Sequence, residues 1–173
     1  MQRKLILTLM TLALAAAPVL AGGPRLGGWG PRVGLAADPD QAIGGFHWDL
    51  GKVHSQLRFV PNVQVGFGDD HTILEGTAPV HWMFNELDAG FTPYAGGGLA
   101  IAWVDRDDDN NGNGNGNDDD SDVELALKAT GGFEWRLGNG PDFFVELSLV
   151  IGDIHDFQAV AGWTFRSRGR KNP

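Results

Sequence analysis

Residues 105 to 122 form the part of this chain whose residue types most plainly suggest chemistry. Apart from Arg106 and Ser121, the segment consists only of Asp, Asn and Gly. Carboxylate and amide oxygens are the ligands that Ca²⁺ prefers, and here they follow the spacing of a calcium-binding loop. The pattern therefore predicts a calcium site. Its candidate ligands are Asp107, Asp109, Asn111, Asn113 and Asp118, with Gly112 at the sixth place and Asn115 at the ninth.

The same segment also permits a simpler interpretation. Asp118 occupies the place at which calcium loops usually carry a bidentate Glu, and no flanking helices are predicted. A low-complexity acidic tract matches such a pattern readily and cannot bury a hydrophobic core. The alternative is a solvated loop that attracts ions only weakly. No cofactor other than this possible Ca²⁺ is predicted.

Two pairs of residues have the types needed for acid–base catalysis. They are His47 with Asp49 and His81 with Glu75, each a possible base with an orienting carboxylate. Both pairs lie on the charged side of alternating segments, where salt bridges are the simpler role. We therefore predict no catalytic residues and no enzymatic activity.

The elements that must position these residues are β-strands. From Val123 to Leu137, apolar and polar residues alternate without interruption, which indicates a long strand with two different faces. Similar segments recur along the chain, separated by Gly, Asn, Asp and Pro. Eight strands are predicted, at 29–37, 42–50, 56–67, 72–84, 91–104, 122–137, 142–151 and 156–166. Pro61, Pro79 and Pro93 each remove one hydrogen-bond donor, so bulges or rim positions are expected there.

The N-terminal residues predict export. Gln2-Arg3-Lys4 is basic, residues 5–20 are apolar, and Val19-Leu20-Ala21 resembles a cleavage site. The apolar run is short for a membrane anchor. Cleavage after residue 21 would leave 152 residues of the 173 and change the formal net charge from -9 to -11, because Arg3 and Lys4 are lost. Such acidity argues against nucleic acid as a partner. The chain contains no Cys, so it must fold without disulfides.

The aromatic residues indicate which face of the strands is outside. They cluster near strand ends on the apolar face, as in the girdles of a transmembrane barrel. The predicted girdle residues are Trp29, Trp48, Trp82, Trp103, Trp135, Trp163 and Phe165. The opposite face carries charges of both signs, which would have to pair inside a closed barrel. The predicted lumen network is Arg58, Glu75, His81, Glu124, Lys128, Glu134, Arg136 and Glu146.

Two passages resemble a known family. The Pro-Tyr and Gly-rich strand from Phe91 to Ala100 and the aromatic closing strand from Phe157 to Phe165 are similar to those of the small eight-stranded outer-membrane proteins of the OmpA, OmpX and opacity type. The resemblance implies an all-β, antiparallel up-and-down transmembrane barrel over residues 22–166, with a basic tail at 167–173. In that family Phe165 would be the last residue, so the tail is a departure from the pattern.

The resemblance also implies where the protein works. We expect an integral protein of the Gram-negative outer membrane, monomeric, with lipid, lipopolysaccharide and the assembly machinery as partners. The acidic loop at 105–122 would face the exterior and carry a structural or surface-interaction role. The alternatives are a narrow, porin-like transport path through the charged lumen, and a soluble periplasmic lipocalin-like carrier whose apolar faces line a cavity.

Overall fold

Antiparallel β-structure accounts for most of the chain that the computed structural model describes. The described residues are 26–38, 40–68, 71–84, 90–106, 121–152, 154 and 156–167. Within this part of the chain no helix is long and apolar enough to cross a membrane. The strands are β1 (Gly28–Ala37), β2 (Gln41–Asp49), β3 (Leu57–Phe59), β4 (Asn62–Phe67), β5 (His71–Met83), β6 (Phe91–Arg106), β7 (Ser121–Arg136), β8 (Asp142–Ile151) and β9 (Phe157–Arg166).

The sheet closes into a barrel. β2 pairs with β1 and β4, both β3 and β4 pair with β5, and from β5 to β9 each strand pairs with the next. β1 pairs with β9 from Gly28–Arg166 to Ala37–Phe157, which closes the sheet. Because β3 and β4 hold one common register against β5, they form a single barrel strand, and the barrel has eight strands. The predicted all-antiparallel, eight-stranded fold is therefore confirmed. The signal peptide predicted at 1–21 lies outside the described residues and stays a prediction.

Registers around the barrel fix its shape. If paired residues are followed from β1 through every strand and back to β1, the position reached is ten residues from the starting one. A stagger of this size over eight strands corresponds to a strand tilt of about 40°. Such a barrel has an interior just wide enough to be filled by side chains.

The expectation that every strand proline marks a bulge or the rim was wrong for Pro79. It pairs with Gly98 in the middle of β5, and the register on both sides of it is unchanged. Because Pro79 has no N–H to donate, the irregularity lies instead in the strand paired with it. Val60 donates its N–H to the Pro79 carbonyl at 3.1 Å, and the ladder is interrupted at Val60-Pro61, between β3 and β4. Pro93 lies near the start of β6 and also pairs in register, with Phe133.

The two ends of the barrel differ. The terminal end carries both chain ends, from Gly28 and Arg166, whereas the loop end carries the connection between β6 and β7. At the loop end β7 begins at Ser121 but its pairing with β8 begins only at Leu127, so β6 and β7 rise above β8. The turn after β8 folds inward there. It places Ile154, 1% exposed, against Ile73, Ala102 and Val150 in an apolar cap.

At the seam that closes the barrel, the close approach of two backbones requires glycine. A Cβ at Gly30 in β1 would lie 1.6 Å from the carbonyl oxygen of Trp163 in β9, across the seam that closes the barrel. A Cβ at Gly44 in β2 would meet no atom within 4 Å. The first glycine is therefore demanded by packing between strands, and the second is not.

We expect Gly30→Ala to reduce the free energy of unfolding by about 1–3 kcal/mol, because the seam must separate to admit the methyl group. The matched variant Gly44→Ala should change it by no more than about 1 kcal/mol, in the stabilising direction. Urea unfolding of the refolded proteins, followed by tryptophan fluorescence, measures both. Equal effects of the two substitutions would contradict the contact at the seam.

Candidate functional site

Six charged residues from five strands cross the terminal mouth of the barrel and alternate in sign. Arg58 Nη2 donates to Glu134 Oε2 at 2.5 Å, and Arg58 Nη1 lies 3.5 Å from Asp49 Oδ2. Arg166 Nη2 lies 3.9 Å from Glu134 Oε1 and its Nε donates to Asp142. Arg136 Nε completes the series, 3.5 Å from Asp142 Oδ1. We call these six residues the mouth ring.

A second cluster, deeper in the lumen, surrounds the buried carboxylate of Glu146. Arg32 Nη2 donates to Oε1 at 2.8 Å, and the Tyr94 hydroxyl donates to Oε2 at 3.1 Å. The His81 ring stacks on Tyr94 with centroids 4.7 Å apart, and its Nε2 lies 4.0 Å from Oε2. Four strands thus meet at one carboxylate, because charges removed from water must find partners inside the barrel.

A third cluster fills the middle of the lumen around Glu75, which is 1% exposed. Lys128 Nζ donates to Glu75 Oε1 at 2.7 Å, and the Thr77 hydroxyl donates to the same oxygen at 2.6 Å. Gln64 Nε2 donates to Oε2 at 3.1 Å. Beyond this cluster comes the apolar cap, so side chains fill the lumen from its middle to the loop end.

Bulky rings in the lumen lie opposite glycines. The Tyr94 ring faces Gly132 across the β6–β7 ladder, where a Cβ would lie 2.5 Å from its Cζ. The Phe144 ring faces Gly162 in the same way, and a Cβ at Gly162 would lie 2.7 Å from Phe144 Cε1. A narrow barrel can hold aromatic side chains only where a neighbouring strand leaves room for them.

All eight residues of the predicted lumen network occupy inward positions. Arg58, Glu75, His81, Lys128, Glu134 and Glu146 make the contacts above, and Arg136 lies inward at the mouth. Glu124 is partly buried near the loop end and has an interaction partner. The sequence analysis missed Tyr94 and Asp142. Alternate residues of a strand share one face, so Asp142 could have been placed in the lumen from its position four residues before Glu146 in β8.

The two pairs considered for acid–base catalysis, His47 with Asp49 and His81 with Glu75, are not formed in the structure. His47 Nε2 lies 2.9 Å from the Thr164 hydroxyl and its ring packs edge-on against Phe144. Asp49 instead faces Arg58, and the carboxylate nearest to His81 is Glu146 rather than Glu75. Neither His is therefore paired with its expected carboxylate.

The candidate calcium ligands Asp107, Asp109, Asn111, Asn113 and Asp118 lie outside the described residues, so the calcium site stays a prediction. Among the residues that the structure does describe, no group of three His, Asp or Glu side chains is arranged to hold a metal ion.

The predicted girdle residues all point away from the lumen. Most of the aromatic side chains form a belt at the terminal end, in which neighbouring rings are in contact. The ring centroids of Trp135 and Phe143 lie 5.8 Å apart, and those of Phe143 and Trp163 lie 5.6 Å apart. The ring centroids of Trp29 and Phe165 lie 5.8 Å apart. Trp103 lies toward the loop end. The remaining outward positions carry Leu, Val and Ile together with Ala and Gly, and Leu125 is 73% exposed.

Comparison with solved structures identifies this architecture. The structure matches the N-terminal β-barrel domain of Pseudomonas aeruginosa OprF with a TM-score of 0.56 and 13% identity, over 82% of this chain and 95% of that one. The chain has the fold of the small outer-membrane β-barrels. Neisserial surface protein A is also similar, with a TM-score of 0.50 and 11% identity, over 79% of this chain and 90% of that one. No protein-family model matches the chain, and no curated protein matches it in sequence.

Within this outer-membrane barrel fold, the buried Glu75–Lys128 pair gives a sharp stability test. We expect Lys128→Met to lower the free energy of unfolding by about 3–5 kcal/mol, because the buried Glu75 carboxylate loses its ion pair and hydrogen bond with Lys128. The double variant Lys128→Met/Glu75→Gln should recover part of this loss, since both charges of the pair are removed together. Denaturant unfolding measures both.

Lys52→Met removes an exposed cation and serves as the control, with an expected change under about 0.5 kcal/mol. A Lys128 variant as stable as this control would show that the buried pair contributes nothing.

Proposed function

We propose that this chain is an integral protein of the Gram-negative outer membrane, with no enzymatic activity and no open pore. In this role the barrel is a rigid scaffold that presents the acidic β6–β7 connection at the cell surface. The observation that carries the proposal is the division between the two faces of the sheet. A continuous apolar exterior with an aromatic belt surrounds an interior of paired charges.

The exterior supports a lipid environment. Large apolar side chains are exposed on every barrel strand, for example Leu35 on β1, Leu99 on β6 and Ile151 on β8. A water-soluble protein rarely exposes so extensive an apolar surface, whereas transmembrane barrels require a band about 25 Å high between aromatic girdles. The exposed apolar surface also argues against the lipocalin-like alternative, which needs its apolar residues around a cavity.

The interior supports a barrel without a pore. Glu75, Ser148 and Gln158 are each less than 2% exposed and lie on three different strands at mid-lumen. Ile154 and the apolar cap lie beyond them. A conducting path needs a continuous column of water, and side chains interrupt it here. Function is therefore expected to reside at the ends of the barrel.

The loop end supports a role at the surface. Its described turns carry exposed acidic residues at Asp38, Asp40 and Asp156, and β6 and β7 lead into the Asp-rich connection. Lipopolysaccharide phosphates bridged by divalent cations, or a cationic surface partner, match this chemistry. The apolar outward position of Phe165, 45% exposed in β9, fits recognition of the closing strand by assembly machinery.

Membrane residence is tested by fractionation. We expect the native protein to remain in the outer-membrane pellet after washing with high salt and with alkaline carbonate, because apolar contacts rather than charges retain it. On a denaturing gel it should migrate faster unboiled than boiled, as a closed barrel that resists detergent. Release into buffer by the carbonate wash would refute membrane integration.

The absence of a pore is tested separately in planar bilayers. Inserted wild-type protein should give no unitary conductance steps in concentrated KCl, because the Glu75 cluster and the apolar cap fill the lumen. Insertion is verified by protease protection of the barrel in vesicles prepared from the same protein. Regular unitary steps from the inserted protein would instead support the transport alternative.

A further inference from the structure

The terminal mouth contains an open vestibule that the scaffold role does not use. It encloses about 1150 Å³, including solvent at its open side, and tapers toward the Glu146 cluster. Its walls include the mouth ring, Lys52 on the β2–β3 turn and Phe91 on β6. The charged side chains therefore converge on one space from different strands.

Charge is distributed unevenly with depth in this vestibule. The carboxylate of Asp142 is 4% exposed, whereas the side chains of Arg136 and Arg166 that contact it are 62% and 50% exposed. Glu134 and Asp49 are also largely buried, with side-chain exposures of 10% and 15%. Lys52 is exposed. A solute entering the described part of the mouth thus meets cations first.

The geometry of the two arginines leaves hydrogen-bond donors free. Both guanidinium groups contact Asp142 through Nε, on opposite oxygens of one carboxylate. This arrangement fixes each group at its inner edge, and among the described residues the Nη groups of Arg136 have no partner. Deeper in the same space, the buried Nε of Arg58 also lacks a hydrogen-bond partner. Arginine has donors only, so the Nη groups of Arg136 are available to an acceptor that enters the mouth.

We propose that the terminal mouth binds a phosphate group, held between Arg136 and Arg166 with Lys52 opposite. The guanidinium fork matches phosphate oxygens in pairs, and several exposed cations favour a dianion over a single carboxylate. The group can belong to a soluble phosphate ester or to a phospholipid headgroup, because the aromatic belt places lipid beside the same rim. The site does not depend on the acidic loop or on the absence of a pore.

Calorimetry of the folded barrel in octyl glucoside tests the site with two probes, inorganic phosphate and dihexanoyl phosphatidylglycerol. We expect wild-type protein to bind at least one of them, and sodium chloride at equal ionic strength to give no saturable heat. Tighter binding of inorganic phosphate would assign a soluble source, and tighter binding of the short-chain lipid a headgroup.

Arg136→Gln should weaken that binding at least tenfold, because one fork is lost at an exposed side chain. Arg106→Gln makes the same change of charge at the loop end of the barrel and should alter affinity less than twofold. Faster migration of unboiled samples verifies that both variants are folded. The proposal is overturned if neither probe binds the wild-type protein at millimolar concentration, or if the two variants lose affinity equally.

Discussion

Closure of the sheet is the constraint on which the rest of this molecule depends. Once β1 pairs with β9, no edge strand remains, and every strand has one face toward the lumen and one toward the surroundings. The lumen of an eight-stranded barrel is too narrow to hold bulk water, so charged groups inside are stabilised by partners on other strands of the barrel. The carboxylates of Glu75, Glu134 and Glu146 have such partners in Lys128, Arg58 and Arg32. Ion pairs inside and apolar side chains outside are thus two consequences of one closed ladder.

Much of this organisation can be predicted from the sequence, because it depends on local alternation. Alternation in β7 places Lys128 and Glu134 on one face and Leu125 and Phe133 on the other, and the structure has them so. Strand boundaries agree to within about two residues because Gly, Asn and Asp separate the strands. The length of a strand and the side on which each side chain lies follow from the residue pattern of that strand alone, so its neighbours need not be known.

The partners in the lumen could not be predicted in the same way. They depend on the stagger around the whole barrel, which no single strand encodes. His81 could be given a carboxylate from its own strand, Glu75, yet its neighbour is Glu146 from β8, on the far side of the lumen. The inward direction of Tyr94 was also hidden, because glycines and alanines follow it and weaken the contrast between the two faces of β6. Ile154 was missed because it belongs to a turn, where alternation carries no information.

The pairing of each lumen ring with a glycine has a consequence for how such a chain can change over time. The Tyr94 ring fills the space beside Gly132, and the Phe144 ring fills the space beside Gly162 on the adjacent strand. A larger residue at either glycine is tolerable only if the opposite ring becomes smaller, and the reverse exchange would leave a void. Related chains should therefore alter these positions two at a time, so that the two residues of each pair covary across the β6–β7 and β8–β9 ladders.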